Sequence, residues 1–328
     1  MNKVFNYLRN RRDAALLASA FVLLIAAAFK PAIPLPRNIY SYLLVADISQ
    51  SMNVVDTTLE GKPTSRIAYT QYMLHHIVAN MPCGTRVSIG LFAGVSIAAL
   101  YTPIEVCSNY AAIQDTIDHL DWRTAWSGNS RLRDSMFTLA RVIRAFPEPA
   151  QVVYFTDGEE APKLHAFNTK DLTNFQGGNG WLFVGIGSEK GTAIPKLDDK
   201  NQLIGYWSAD SFAMQPGIAQ ISEANIGVRD NNVAGATGDR FLSKLQEEYL
   251  KDISKQVSGD YVRGDSLQTI LAAMKKQKPA RRDIAPYDIQ WILASIAGLL
   301  LLTAYLPKRP IGSFSKWLSI WVRRRRKA

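Results

Sequence analysis

Asp47-Ile48-Ser49-Gln50-Ser51 sets a carboxylate and two hydroxyls at alternate positions, directly after the apolar run Tyr42-Leu43-Leu44-Val45-Ala46. Oxygen donors of this kind suit a hard divalent cation such as Mg²⁺, Ca²⁺ or Mn²⁺. The apolar run is too short for a helix and rich in large side chains, so it reads as a buried strand. In open α/β sheets ligands bind beyond the carboxyl ends of the strands, which is where these oxygens fall. Thr156-Asp157-Gly158 closes a second apolar run, and its glycine permits the sharp exit that would leave Asp157 pointing at the first cluster. Ser127-Gly128-Asn129-Ser130 precedes a helical pattern, where a hydroxyl either caps the helix or faces a metal.

The elements that must position these oxygens alternate. Helical spacing is expected over 65–80, 110–120, 132–145, 241–257 and 266–274. Strands are expected over 85–92, 95–100, 151–156, 181–186 and 261–262. Strands alternating with helices indicate a Rossmann-like, doubly wound, mainly parallel sheet across residues 38–278. Residues 191–240, rich in Asp, Asn, Gly and Ala, carry the weakest pattern and read as a surface excursion. Gly185-Ile186-Gly187-Ser188-Glu189-Lys190-Gly191 imitates a dinucleotide fingerprint, but its last glycine falls one residue late, and a strand end followed by a turn is the expectation.

The chain of 328 residues has a formal charge of +10, unevenly placed: residues 1–37 carry +5, residues 275–328 carry +11, and the middle is left at −6. Apolar runs at 14–29 and 289–306 would span roughly 24 and 27 Å as helices, slightly short of a ~30 Å hydrocarbon core. Lys30 and Tyr287 could cover the deficit at the interfaces. Both runs are expected as transmembrane helices, after a basic arm over 1–13. Ala26-Ala27-Ala28 also offers a cleavage site, whereas Lys30 and the three prolines after it favour a retained anchor. The positive flanks imply a bacterial inner-membrane protein with both termini cytoplasmic and the acidic middle periplasmic, although the basic residues 275–282 oppose that orientation. Residues 312–328 read as a basic amphipathic juxtamembrane helix, too short for a role in nucleic-acid binding. The two cysteines, Cys83 and Cys107, lie in the segment placed outside, where a disulfide is expected; the alternative is a pair of buried thiols.

The oxygen clusters together resemble the von Willebrand factor A domain and its metal-ion-dependent adhesion site, a DxSxS string followed by a Thr and then an Asp. Asp47, Ser49, Ser51 and Asp157 match, and Ser130 falls on the threonine position. Serine keeps the hydroxyl but loses the methyl that stiffens χ1, and Ser127 or Asn129 could substitute. Further segments resemble the Bat-type branch of this family, GTAIPKLDDKNQLIGY and LQEEYLKDISKQVSGDYVRGDSLQTIL among them. SRIAYTQYMLHHIVANMPCGTRVSIGLF, PIEVC, LDWRTAW and TDGEEAP are similar to membrane-anchored proteins of the MxaL kind, found among methanol-oxidation genes. The resemblance implies a bound Mg²⁺ or related divalent, held directly by hydroxyls and through water by carboxylates. It also implies a protein client with an acidic ligand residue, such as methanol dehydrogenase, together with a MoxR-type AAA+ ATPase and sister proteins of the family. A Bat-like structural or stress-related envelope component is the alternative.

An enzyme is not the expectation. An aspartyl nucleophile at Asp47 would want a second aspartate two residues on, where Ser49 stands. His75 and His76 are adjacent on a helix, and His119 and His165 are isolated, so no nucleophile and base pair emerges. Glu159 and Glu160, next to Asp157, read as solvated residues outside the metal shell.

Overall fold

A computed structural model describes residues 2–161, 163–164, 169–209 and 236–305, with the side chains of 2–12 and 285 left aside. The tail expected over 312–328 and His165 lie outside these residues. The chain divides into two compact units, 38–282 and the two terminal segments.

In chain order the elements are α1 (Asn2–Ala28), β1 (Ala32–Ile39), β2 (Ser41–Asp47), β3 (Val55–Leu59), β4 (Lys62–Ser65) and α2 (Arg66–Ala79). Then follow β5 (Arg86–Ala93), β6 (Ser96–Ala99), β7 (Ile104–Glu105), α3 (Tyr110–Asp118), α4 (Leu132–Ala145), β8 (Gln151–Thr156) and β9 (Leu182–Gly185). The rest are β10 (Thr192–Ala193), β11 (Pro195–Leu197), β12 (Leu203–Tyr206), β13 (Leu242–Ser243), α5 (Glu247–Gln256), β14 (Asp260–Arg263), α6 (Leu267–Met274), β15 (Arg281–Asp288) and α7 (Gln290–Tyr305).

The main sheet runs β14-β9-β8-β2-β5-β6, and β7 also pairs with β5. The four pairings from β14 to β5 are parallel, and β6 and β7 join antiparallel, so the sheet is mixed and mainly parallel, as expected. Every residue of β2 is buried because both faces are covered. Leu44 and Ala46 enter one core with α2, α3 and α6, and Leu43 and Val45 enter the other with α4 and α5. Ser65 caps α2, its Oγ accepting from Ala68 N at 3.3 Å.

Three expectations change. Helix α5 starts at Glu247, not 241, because the preceding segment is drawn to the strand ends: Leu245 N donates to Ser188 O and Gln246 N to Asp157 O, both at 2.8 Å. Within the described part of the 191–240 excursion, 191–209 and 236–240, β11 pairs with β12, and β10 pairs with β13 just beyond it. The β3–β4 hairpin was not foreseen, its short polar strands lacking an apolar alternation.

In the terminal unit α1 and α7 pack together, and the buried positions on them are the small residues Ala20, Ala27 and Ala297. Helix α1 already covers the stretch expected as a basic arm. Among the described residues no helix is long and apolar enough to cross a membrane. Helix α7 has 16 residues, a rise of about 24 Å, so its length does not support the crossing expected at 289–306.

Cys83 and Cys107 form the expected disulfide, closing a separation of 24 residues between the start of β5 and the loop after β7. Replacing both by serine should lower unfolding stability by about 3 kcal/mol, read from urea denaturation with and without reductant. The reductant should have no effect on the variant.

Candidate functional site

Asp47 is the last residue of β2, fully buried, and both of its oxygens are already engaged. Oδ1 accepts from Ser49 N at 2.9 Å, and Oδ2 accepts from Thr156 Oγ1 at 2.7 Å. After Asp47 the chain turns through a 3₁₀ segment, Gln50–Asn53, which brings the hydroxyls of Ser49 and Ser51 to 3.1 Å from each other. Both serines are buried.

Asp157 follows the end of the adjacent strand β8. Its Oδ1 accepts from Glu159 N at 2.9 Å and its Oδ2 from Arg66 Nη1 at 2.6 Å. Gly158 makes the exit in the left-handed region (φ +74), and a Cβ there would meet Leu250 Cγ at 2.7 Å.

Ser130 arrives from a different direction. Its backbone bridges Gly94 beyond β5 and Ala161 beyond β8, the neighbours on either side of β2, so it spans the carboxyl end of the central strand. Its Oγ is buried without a hydrogen-bond partner among the described residues. Ser127 Oγ, by contrast, accepts from Asn129 N at 3.2 Å. A buried hydroxyl without a partner costs about 1–3 kcal/mol. An oxygen-seeking cation would remove that cost, so Ser130 fits a divalent ion better than Ser127, whose hydroxyl is already engaged.

The five residues therefore converge on one end of the sheet. The three hydroxyls would be neutral direct donors to such an ion. The two carboxylates, each already committed within the protein, would reach a metal through water, as Mg²⁺ favours.

Burial, followed by the charge of Asp157, pushes the Asp47 carboxyl up to about 7. Burial also lifts Glu160 to about 7. Glu160 and Glu159 were expected in solvent and are not. Glu160 accepts from Arg133 N at 2.9 Å at the start of α4 and from the Tyr249 hydroxyl at 2.6 Å. Glu159 is buried and accepts from the Ser243 hydroxyl.

Sequence reasoning missed the most unusual member, Arg66, whose guanidinium is fully buried between Asp157 and Asp56. No local pattern marked it: Arg66 opens a helix that also carries Thr70, Gln71, His75 and His76, and it reads as a surface residue. Gly187 belongs to the same feature. A Cβ there would meet Arg66 Nε at 2.6 Å, so this glycine of the false dinucleotide fingerprint gives the guanidinium room. The histidines brace helices: His75 Nε2 lies 2.9 Å from Asp118 Oδ1, and the His76 ring packs edge-on to Tyr72.

Residues 42–160 match the von Willebrand factor type A domain family. The chain is 26% identical over 316 residues to a UPF0353 protein of Nocardia farcinica (strain IFM 10152), covering 92% of this chain and 84% of the relative. It is 29% identical over 270 residues to a UPF0353 protein of Mycobacterium sp. (strain KMS), covering 77% and 71%. Among solved structures it is similar to an aerotolerance-related membrane protein from Bacteroides fragilis NCTC 9343 (TM-score 0.49, 18% identity, 73% of this chain and 98% of that one). A second is the conserved hypothetical protein BatB from Bacteroides thetaiotaomicron (TM-score 0.48, 17% identity, 72% and 98%).

The raised Asp47 carboxyl has a signed consequence. Its folded value of about 7 lies above the ordinary 3.8, so the metal-free domain keeps this contribution to stability below pH 3.8 and loses it as pH rises through about 7. A divalent ion prefers the ionised form. Mg²⁺ affinity should therefore rise about tenfold per pH unit up to about 7 and level off above, read by calorimetry between pH 5 and 9. Asp47→Asn should flatten the profile.

Proposed function

The chain carries a von Willebrand factor type A domain, and from that premise we propose that it is a membrane-anchored binding module. A Mg²⁺-class ion at Ser49, Ser51 and Ser130, with Asp47 and Asp157 behind water, takes the carboxylate of an acidic residue on a client protein. The observation that carries this reading is the buried Ser130 Oγ, without a partner among the described residues, at the same end of the sheet as the paired hydroxyls of Ser49 and Ser51. Neutral direct donors leave the ion electrophilic, and an acidic side chain is its natural sixth ligand. When bound, the ion supplies Lewis acidity toward that carboxylate. The protein's own groups hold and orient: Thr156 and Ser49 N fix Asp47, and Arg66 with Glu159 N fixes Asp157. This is binding rather than turnover.

The terminal helices supply the anchor. Phe21, Val22, Leu299 and Leu302 are each more than 60% exposed, a surface suited to lipid, and alanines where the helices meet suit close packing in a bilayer. Lys30 and Tyr287, flanking the apolar runs 14–29 and 289–306, offset the short length of those runs. Similarity to the UPF0353 protein of Nocardia farcinica over 92% of the chain extends well beyond residues 42–160, which supports an architecture shared outside the domain. The domain then faces the periplasm, where the Cys83–Cys107 disulfide is stable. The client is an envelope enzyme of the methanol dehydrogenase kind, brought to maturity with a MoxR-type ATPase and sister domains.

Asp47→Ala and Ser49→Ala should each abolish Mg²⁺-dependent capture of the client from a membrane extract, while the denaturation midpoint keeps the domain folded. Capture that persists undiminished in EDTA would sink the proposal.

A further inference from the structure

Arg66 is the first residue of α2, and its side chain is fully buried. One guanidinium edge takes Asp56, Nε at 3.0 Å from Oδ1 and Nη2 at 2.6 Å from Oδ2. Nη1 takes Asp157 Oδ2 at 2.6 Å and the Ser243 hydroxyl at 2.8 Å, and it lies 3.4 Å from the backbone oxygen of Ser51. The same cation thus touches a metal-site carboxylate and the backbone of a metal-site serine. Asp56 is itself fixed, its Oδ2 accepting from Ser188 N at 3.0 Å. This is a two-carboxylate clamp on one charge, built from the hairpin after β2, the start of α2, the exit of β8 and the loop after β9.

Resting on the divalent reading of the cluster, we propose that Arg66 is a fixed internal countercharge that sets the site's metal affinity. By occupying Asp157 Oδ2 it withholds one oxygen and most of one negative charge from the ion. The ion is then held loosely enough to keep demanding an anionic ligand from outside. Asp56 tunes the effect by drawing part of the guanidinium's charge away from Asp157. Arg66 is therefore a positioning and specificity-determining residue: it biases the site toward acidic partners without touching them.

The opposite signs expected for two variants separate this role from a merely structural one. Mg²⁺ alone is titrated by calorimetry into the full chain in detergent micelles, with the denaturation midpoint measured in parallel. Asp56→Asn leaves the guanidinium to Asp157 alone and should weaken Mg²⁺ binding by roughly tenfold. Arg66→Met uncovers both carboxylates and should tighten Mg²⁺ binding by roughly tenfold or more, with a lowered midpoint that Mg²⁺ restores. Arg66→Lys keeps the charge and loses the fork, so its affinity should stay within about threefold of the parent while its midpoint falls. If Arg66→Met does not fold, Asp56→Asn decides. Should Asp56→Asn and Arg66→Met lower the midpoint yet leave the Mg²⁺ Kd within about twofold of the parent, the countercharge role is overturned and the clamp only holds the fold. Should the parent bind no Mg²⁺, or Asp47→Ala bind it as the parent does, the divalent reading falls and takes this proposal with it.

Discussion

Two carboxylates, Asp47 and Asp157, are held fully buried at the carboxyl ends of adjacent parallel strands, and the surrounding elements answer to that constraint. Like charges this close to each other and this far from water oppose ionisation together, which is why burial and Asp157 both raise the Asp47 carboxyl. Each oxygen is consequently given a donor. Asp47 has the backbone of Ser49 and the hydroxyl of Thr156, and Asp157 has the backbone of Glu159 and the guanidinium of Arg66. The local backbone follows from these bonds: the turn after β2 folds back on Asp47 through Ser49, and the exit from β8 folds back on Asp157 through Glu159.

The guanidinium carries further obligations. Leaving one partner of a buried ion pair uncompensated costs roughly 3–5 kcal/mol, so a fully buried arginine must find acceptors all around. Asp56 supplies them on one edge and Ser243 on the other, which ties the β3–β4 hairpin and the strand before α5 to the site. Space is the second obligation. Gly187 lies where any Cβ would strike the guanidinium, and that explains a glycine that otherwise suggests phosphate binding. The hairpin, β13 and the turn after β9 are short and have little core of their own. A shared charge gives them a common position.

This division also decides how much was legible in the sequence. Strands such as β2, β8 and β9 bury both faces and read as continuous apolar runs, and α2 and α4 repeat at helical spacing, so the doubly wound sheet followed from local pattern. Asp47, Ser49 and Ser51 were legible because three oxygens sit at alternate positions right after such a run. Asp157 was legible as a carboxylate closing a second apolar run, and Ser130 needed the resemblance to be singled out from Ser127 and Asn129. Arg66, Asp56, Glu159 and Ser243 were not legible, because each looks like an ordinary surface residue until a hydrogen bond across 10, 84, 91 or 177 positions gives it a partner. Burial of Glu159 and Glu160 was missed for the same reason, since an acidic pair after a strand end is usually solvated.

In the proposed site, the donor set suits recognition rather than chemistry. A catalytic metal ion polarises a reacting group or activates a bound water at an open position. Here the three hydroxyls bring no charge, and both carboxylates are bound within the protein before any ion arrives. An arginine subtracts further negative charge on the protein side. The ligand that such a site would take is an anion, as the carboxylate of the proposed client supplies. Selectivity for an acidic partner would then come from the charge balance beneath the ion as much as from the surface around it.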